Sequence, residues 1–102
     1  DSALSLQAEG GYPVAWTSLE SIRGAPSPRR DSAVAALKTR LVLFGGLGDF
    51  VLGDCHVLDT IRRTWDEITF FTAGSRPAAR RRHAMAGVGP NLAFLFGGAT
   101  AV

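Results

Sequence analysis

A single cysteine, Cys55, stands in a chain of 102 residues, so no internal disulfide can form. There are only two histidines, His56 and His83. A structural zinc site takes four ligands, and without a second cysteine the chain cannot readily assemble one. Cys55 and His56 are adjacent, and successive strand residues face opposite sides of a sheet, so they do not chelate as a pair. Serine, histidine and aspartate all occur, but no nucleophile-elbow pattern arranges them. The expectation is a chain without catalytic, metal or cofactor-binding residues. Lysine is almost absent too: Lys38 stands alone against ten arginines, and four of these fall between Arg76 and Arg82. Residues 84–102 carry no formal charge, which approaches a membrane span in length. Gly87, Gly89, Pro90, Asn91, Gly97 and Gly98 break that stretch, and two strands around a Gly-Pro-Asn turn account for it better than a membrane helix. The chain starts at Asp1 with no charged-then-apolar leader, and reads as a piece of a longer protein. With one cysteine, a cytoplasmic or nuclear setting is expected. A net charge of +2 and 46% hydrophobic residues are ordinary for a globular chain.

What the chain does contain, it contains twice. Trp16 opens a stretch through Pro26, Arg29, Arg30 and Ala33 to Leu41-Val42-Leu43-Phe44-Gly45-Gly46. Trp65 opens another through Pro77, Arg80, Arg81 and Ala84 to Ala93-Phe94-Leu95-Phe96-Gly97-Gly98. The tryptophans are 49 residues apart, Arg29 and Arg80 are 51 apart, and the diglycines are 52 apart. A period near 50 marks a stacked repeat architecture.

Each copy reads as a run of short strands. Residues 32–37 and 83–88 are small and apolar, which suits the crowded innermost strand of a radial sheet. Leu41–Phe44 and Ala93–Phe96 are continuous apolar runs, the pattern of a strand buried on both faces. Both end in diglycine, read as a strand exit with unusual backbone angles. A phosphate-cradling loop would need a helix directly afterwards, and residues 47–50 do not start one. A loop over residues 47–53 leads to a third strand at 54–60, with Asp59 and Thr60 starting a turn. An outer strand follows from Thr64 to Phe70. The expected organisation is an outer half-blade at about 1–24, a whole blade at about 30–70 and an inner half-blade at about 80–98, joined by Gly/Pro/Ser-rich crossings.

The order of diglycine, Asp59 after an apolar pair, Trp65, Pro77, Arg80 and a second diglycine resembles the kelch repeat. Leu58 replaces the aromatic residue that many kelch repeats place before the Asp. Asp31-Ser32 in the first copy also departs from Arg82-His83 in the second. The resemblance implies an all-β fold, a partial propeller of four-stranded antiparallel blades, and a non-catalytic scaffold that binds a protein or peptide. It also leaves open a substrate-recognition module of a larger enzyme or ubiquitin-ligase adaptor, and more distantly a fragment of a copper enzyme similar to galactose oxidase. The copper site of that family needs several tyrosines, and this chain has only Tyr12.

Propellers close with four or more blades, so further blades of the same parent chain are expected to cover the open faces. An isolated two-blade wedge should be marginal or self-associating. Gly45, Gly46, Gly97, Gly98, Asp59, Trp16 and Trp65 are expected to serve the fold. Arg29 and Arg80 are expected to bond carbonyls or carboxylates of a neighbouring blade. Arg76, Arg81 and Arg82 form either a solvated loop or a patch for an acidic peptide. Nucleic acid is disfavoured, because no aromatic residues interleave with the arginines to stack bases. Phe50 and Val51 are apolar where a plain connection would be polar. They either meet a partner or pack on the next blade.

Overall fold

The computed structural model describes residues 4–8 and 14–18 by their backbone, and residues 23–68 and 76–102 with their side chains. Every regular element among them is a β-strand. β1 (Leu4–Ala8) pairs antiparallel with β2 (Val14–Ser18), placing Leu6 opposite Trp16. β3 (Ala33–Leu37), β4 (Arg40–Leu47), β5 (Val51–Asp59) and β6 (Thr64–Ile68) form a four-stranded antiparallel meander in that order. β7 (Ala84–Val88) and β8 (Leu92–Phe96) form a third sheet. These successive antiparallel sheets bear out the all-β reading as part of a propeller. The turn expected at residues 9–13, the end of the outer strand at Phe70 and the start of the crossing at 72–75 lie outside the described residues.

The two copies share unusual backbone angles as well as sequence. Gly45 and Gly97 have φ of 70° and 69°, and Gly46 and Gly98 have 110° and 92°. Asp31 and Arg82 occupy the left-handed region at 60° and 57°, as do Lys38 and Gly89 at the hairpin turns, at 57° and 64°. The left-handed conformation is uncommon without glycine, so its recurrence at matching places marks one backbone used twice.

Turn chemistry fixes the hairpins. Asp59 Oδ1 accepts from the backbone N–H of Ile61 and Arg62 at 2.9 and 3.0 Å, an Asx-type turn between β5 and β6. The Arg62 N–H, with that of Ile61, holds the Asp59 carboxyl below its ordinary pKa. Thr60 donates from both its backbone N–H and its hydroxyl to the Thr39 carbonyl, tying this turn to the β3–β4 hairpin.

Three expectations are corrected here. β4 does not exit at the diglycine but runs on to Leu47, and Gly45-Gly46 form a bulge within it. The connection expected over residues 47–53 is shorter, because Leu47 is in β4 and Val51 already opens β5. His83, read as the first residue of an inner strand, precedes β7.

One part of the core lies between the four-stranded sheet and β7–β8, while Leu58 and His56 are buried on the opposite face of the sheet. Ala35, Leu37 and Phe44 share one sheet face and are buried, whereas Val34 on the opposite face is 48% exposed. Phe44 is 2% exposed and its counterpart Phe96 is 63% exposed. The backbone is the same. The difference is that β7–β8 packs over the Phe44 face, while the equivalent face of β7–β8 is open among the described residues. Small inner-strand residues permit the close packing. A Cβ on Gly87 would run into the Ala36 carbonyl.

Candidate interaction surface

The loop end of the blade is anchored by a buried charge cluster. Arg29 lies just before β3, and Asp54 and His56 lie two apart on β5, hence on one face. Arg29 Nη1 and Nη2 donate to Asp54 Oδ1 and Oδ2 at 2.6 and 2.9 Å, the bidentate geometry that guanidinium favours. The bulge directs the Gly45 carbonyl to Arg29 Nη1 at 3.2 Å, and Arg29 Nε donates to the Ser27 carbonyl at 3.1 Å. His56 Nε2 lies 2.6 Å from Asp54 Oδ2. The Arg29 hydrogen bonds, aided by His56, hold the Asp54 carboxyl far below the usual carboxylate range against the opposing effect of burial. Burial, then the Asp54 charge, pushes the Cys55 thiol up. This thiol is a packing group, not a nucleophile.

Arg80 repeats the first half of that arrangement. Its Nε donates to the Ala78 carbonyl at 3.1 Å and its Nη1 to the Gly97 carbonyl at 3.1 Å. Arg29 and Arg80 therefore bond carbonyls of their own blade, and in Arg29's case its own blade's carboxylate, not those of a neighbouring blade as the sequence suggested. Each guanidinium reaches back to the first glycine of the diglycine in the sheet that its own segment begins.

Contacts between blades involve Asp31, Arg82 and His83, where the copies differ, and also Arg81, whose counterpart Arg30 is the same residue type. Arg81 Nη1 and Arg82 Nε donate to Asp31 Oδ2 at 3.1 and 3.3 Å, and Arg82 N–H bonds the Asp31 carbonyl at 2.8 Å. His83 is 7% exposed, its Nε2 lies 2.7 Å from the Phe44 carbonyl, and its ring meets Phe44 edge-on. Gly46 N–H donates to the Arg80 carbonyl, and Arg80 N–H to the Leu52 carbonyl, stitching the crossing segment onto the preceding blade. The side chain of Arg81 is 14% exposed and that of Arg82 is 69% exposed, so only Arg82 faces water broadly.

The crossing segment then borders an open cleft of about 840 Å³. Phe50 and Val51 stand on one side, Glu67 and Ile68 at the outer strand on another, and Arg76 and Pro77 on the third. Phe50 is 66% exposed at the tip of the β4–β5 loop, and Ile68 is 40% exposed. Arg76 Nη2 donates to the Gly53 carbonyl at 3.3 Å. The structure thus brings Phe50, Val51 and Arg76 around one cleft and places Arg81 at the blade junction. Trp65 is half-buried on β6, with Gly24 packed against its backbone, and Trp16 lies on β2.

Sequence reasoning missed Asp54, His56 and Asp31. No motif marks Asp54, and it is the burial of Arg29 beside it that gives it away. The Asp31/Arg82 mismatch between copies was visible, but its meaning needed the geometry. Among the described residues, no group of three or more His, Cys, Asp or Glu is placed to hold a metal ion. No helix among them is long and apolar enough to cross a membrane.

Comparison with known proteins agrees with this architecture. A family model described as the KLHDC2/KLHL20/DRC7 Kelch-repeats domain matches residues 8–98. Acyl-CoA-binding domain-containing protein 4 of Arabidopsis thaliana is 32% identical over 96% of this chain and 15% of its own length. Serine/threonine-protein phosphatase BSL2 of Arabidopsis thaliana is 34% identical over 81% of this chain and 8% of its own length. Kelch domain-containing protein 2 of Homo sapiens is 34% identical over 81% of this chain and 26% of its own length. The chain therefore spans about a quarter or less of these curated relatives.

Proposed function

The chain belongs to the kelch-repeat family, and from that premise we propose that it is a non-catalytic part of a propeller that binds a protein segment at its loop end. One observation carries the reading: Phe50, a large apolar side chain, is 66% exposed at a loop tip beside an open cleft. Loops on a rigid sheet scaffold are the usual carriers of recognition. Exposed aromatic residues beside polar groups are typical anchors of protein interfaces. The bound segment would offer an apolar side chain to Phe50, Val51 and Ile68. It would offer an acidic group to Arg76 or to Arg82, whose side chain is 69% exposed. Further blades of the same parent chain would cover the open face of β7–β8.

A second reading has one observation in its favour. One relative is named as a serine/threonine-protein phosphatase. In that reading the same surface selects substrates for an enzymatic domain of the parent protein.

The test is selection of a random peptide library against the chain. Enriched peptides should lose about tenfold or more in affinity on Phe50→Ser, as expected for an anchor worth over 1 kcal/mol. The unfolding midpoint should not move, since the side chain is mostly in water. Arg82→Glu should weaken the acidic members of the set. Arg81→Glu is the poorer probe, because it places a carboxylate against Asp31. Equal binding by Phe50→Ser would refute the assignment of this loop.

A further inference from the structure

Every N–H donor of the Arg29 guanidinium has an acceptor, and one of these acceptors stands apart. Nε meets the Ser27 carbonyl, Nη1 meets the Gly45 carbonyl and Asp54 Oδ1, and Nη2 meets Asp54 Oδ2. The last bond runs from Nη2 to Ser27 Oγ at 3.1 Å. The hydroxyl accepts there, so its own proton is not engaged by the guanidinium. Arg80 keeps the matching Nε and Nη1 bonds with Ala78 in place of Ser27. Posing the arginine therefore needs the carbonyl and not the hydroxyl. Pro28 follows Ser27, whereas Ala79 stands at that place in the second copy. Ser27 is the one serine or threonine of the sequence that precedes a proline, and Arg30 lies three positions after it. Ser27, Pro28 and Arg30 are exposed, and residues 25–29 belong to no strand.

We infer that Ser27 is a phosphorylation site for a proline-directed protein kinase, with Arg29 as the receptor of the phosphate. Such a kinase takes an extended, exposed segment, seats the proline after the serine in an apolar pocket and pairs the arginine beyond it with acidic groups. Charge patterns of this kind decide which substrates a kinase accepts. Ser27 Oγ attacks the γ-phosphorus of ATP. The Oγ–P bond forms as the bond from that phosphorus to the β–γ bridging oxygen breaks, ADP departs, and the hydroxyl proton passes to a carboxylate of the kinase. The product carries about two negative charges and three acceptor oxygens on a side chain already within hydrogen-bond distance of Nη2. The neutral hydroxyl acceptor of Arg29 thus becomes a charged one, and the bond to it strengthens. Nη2 also holds Asp54 Oδ2, and Asp54 borders the cleft, so the modification reaches the loop end through one guanidinium.

The experiment treats the folded, 15N-labelled chain with a proline-directed serine/threonine kinase and Mg-ATP, and treats a peptide of residues 23–31 in parallel. The amide spectrum checks the fold before and after. One phosphate is expected on the chain, placed on Ser27 by fragment mass. Pro28→Ala and Arg30→Ala, both at exposed positions, should each slow its incorporation about tenfold or more. In the phosphorylated chain the Arg29 Nε–H resonance should shift. The second ionisation of the phosphate, followed by 31P NMR, is about 6 in a free phosphoserine and should lie lower in the chain than in the peptide, because the guanidinium favours the dianion. A folded chain that stays unmodified, whether or not the peptide is modified, overturns the site, as does phosphate on another residue. Phosphate on Ser27 with Arg29 Nε–H unmoved and an ionisation equal to the peptide's overturns the role of Arg29.

Discussion

Replacing Asp54 with Asn tests how much of this blade is held by one ion pair. The side chains of Arg29 and Asp54 are 4% and 26% exposed, so the substitution leaves an arginine almost dry without its counter-charge. Breaking a fully buried pair costs about 3–5 kcal/mol, and partial access of water to Asp54 lowers this to about 2–3 kcal/mol. Arg80→Ala removes two carbonyl hydrogen bonds in a more open setting and should cost only about 1 kcal/mol. Guanidinium unfolding of both variants measures the contrast, with a stabilising osmolyte added if Asp54→Asn has no native baseline. The pH dependence gives a second handle. The folded-state pKa of Asp54 is depressed, so its contribution is present above the ordinary value of 3.8 and is lost as pH falls below it. The gap between wild type and Asp54→Asn should thus be full at pH 7 and shrink below about pH 4. Equal losses for Asp54→Asn and Arg80→Ala, or a gap that persists at low pH, would refute the argument.

Two further outcomes follow from the packing. Gly87→Ala should push β7–β8 off the inner strand, costing about 1–3 kcal/mol as overpacking does, because its Cβ meets the Ala36 carbonyl. Gly89→Ala, with no atom within 4 Å of the added Cβ, should cost only about 1 kcal/mol for its left-handed backbone. Asp31→Asn should loosen the blade junction by weakening both arginine contacts, raising hydrogen exchange at Arg82 N–H and at β7 while leaving β5 and β6 protected. Uniform protection would show that the junction does not depend on that charge.

The repeat made the fold legible, because diglycine, tryptophan and arginine recur at nearly one spacing and each needs a particular backbone. Positive φ at Gly45 and Gly46 is a demand that sequence can state. The bulge that those angles build was not legible, so the end of β4 and the start of β5 were misplaced. A bulge is a register event between two strands, and one strand's residues do not announce it. Arg29 and Arg80 were singled out, but their partners were sought on the neighbouring blade. Only the path of the crossing segment shows that each guanidinium folds back to the first glycine of its own diglycine. Asp54 was invisible for a related reason: it looks like any strand-starting aspartate until a buried arginine faces it.

The differences between copies then acquire a direction. The junction between the four-stranded sheet and β7–β8 uses Gly87, His83 and the pairing of Arg81 and Arg82 with Asp31. At the matching positions the first copy has Ala36, Ser32 and Arg30 with Asp31. A second molecule docking its first copy on the open face of β7–β8 would bring Ala36 where Gly87 is needed. It would bring Ser32, too short to reproduce the His83 bond to the Phe44 carbonyl. Arg30 would approach Arg82 in place of the contact between Arg81 and Asp31, and only the pairing of Asp31 with Arg82 would remain, with its signs exchanged. The copies share a backbone but not a junction, so stacking of identical chains is a poor substitute for the proper next blade. Phe94 and Phe96 instead stack on each other across 6.5 Å on that open face, leaving an apolar surface matched to a blade with its own small inner strand.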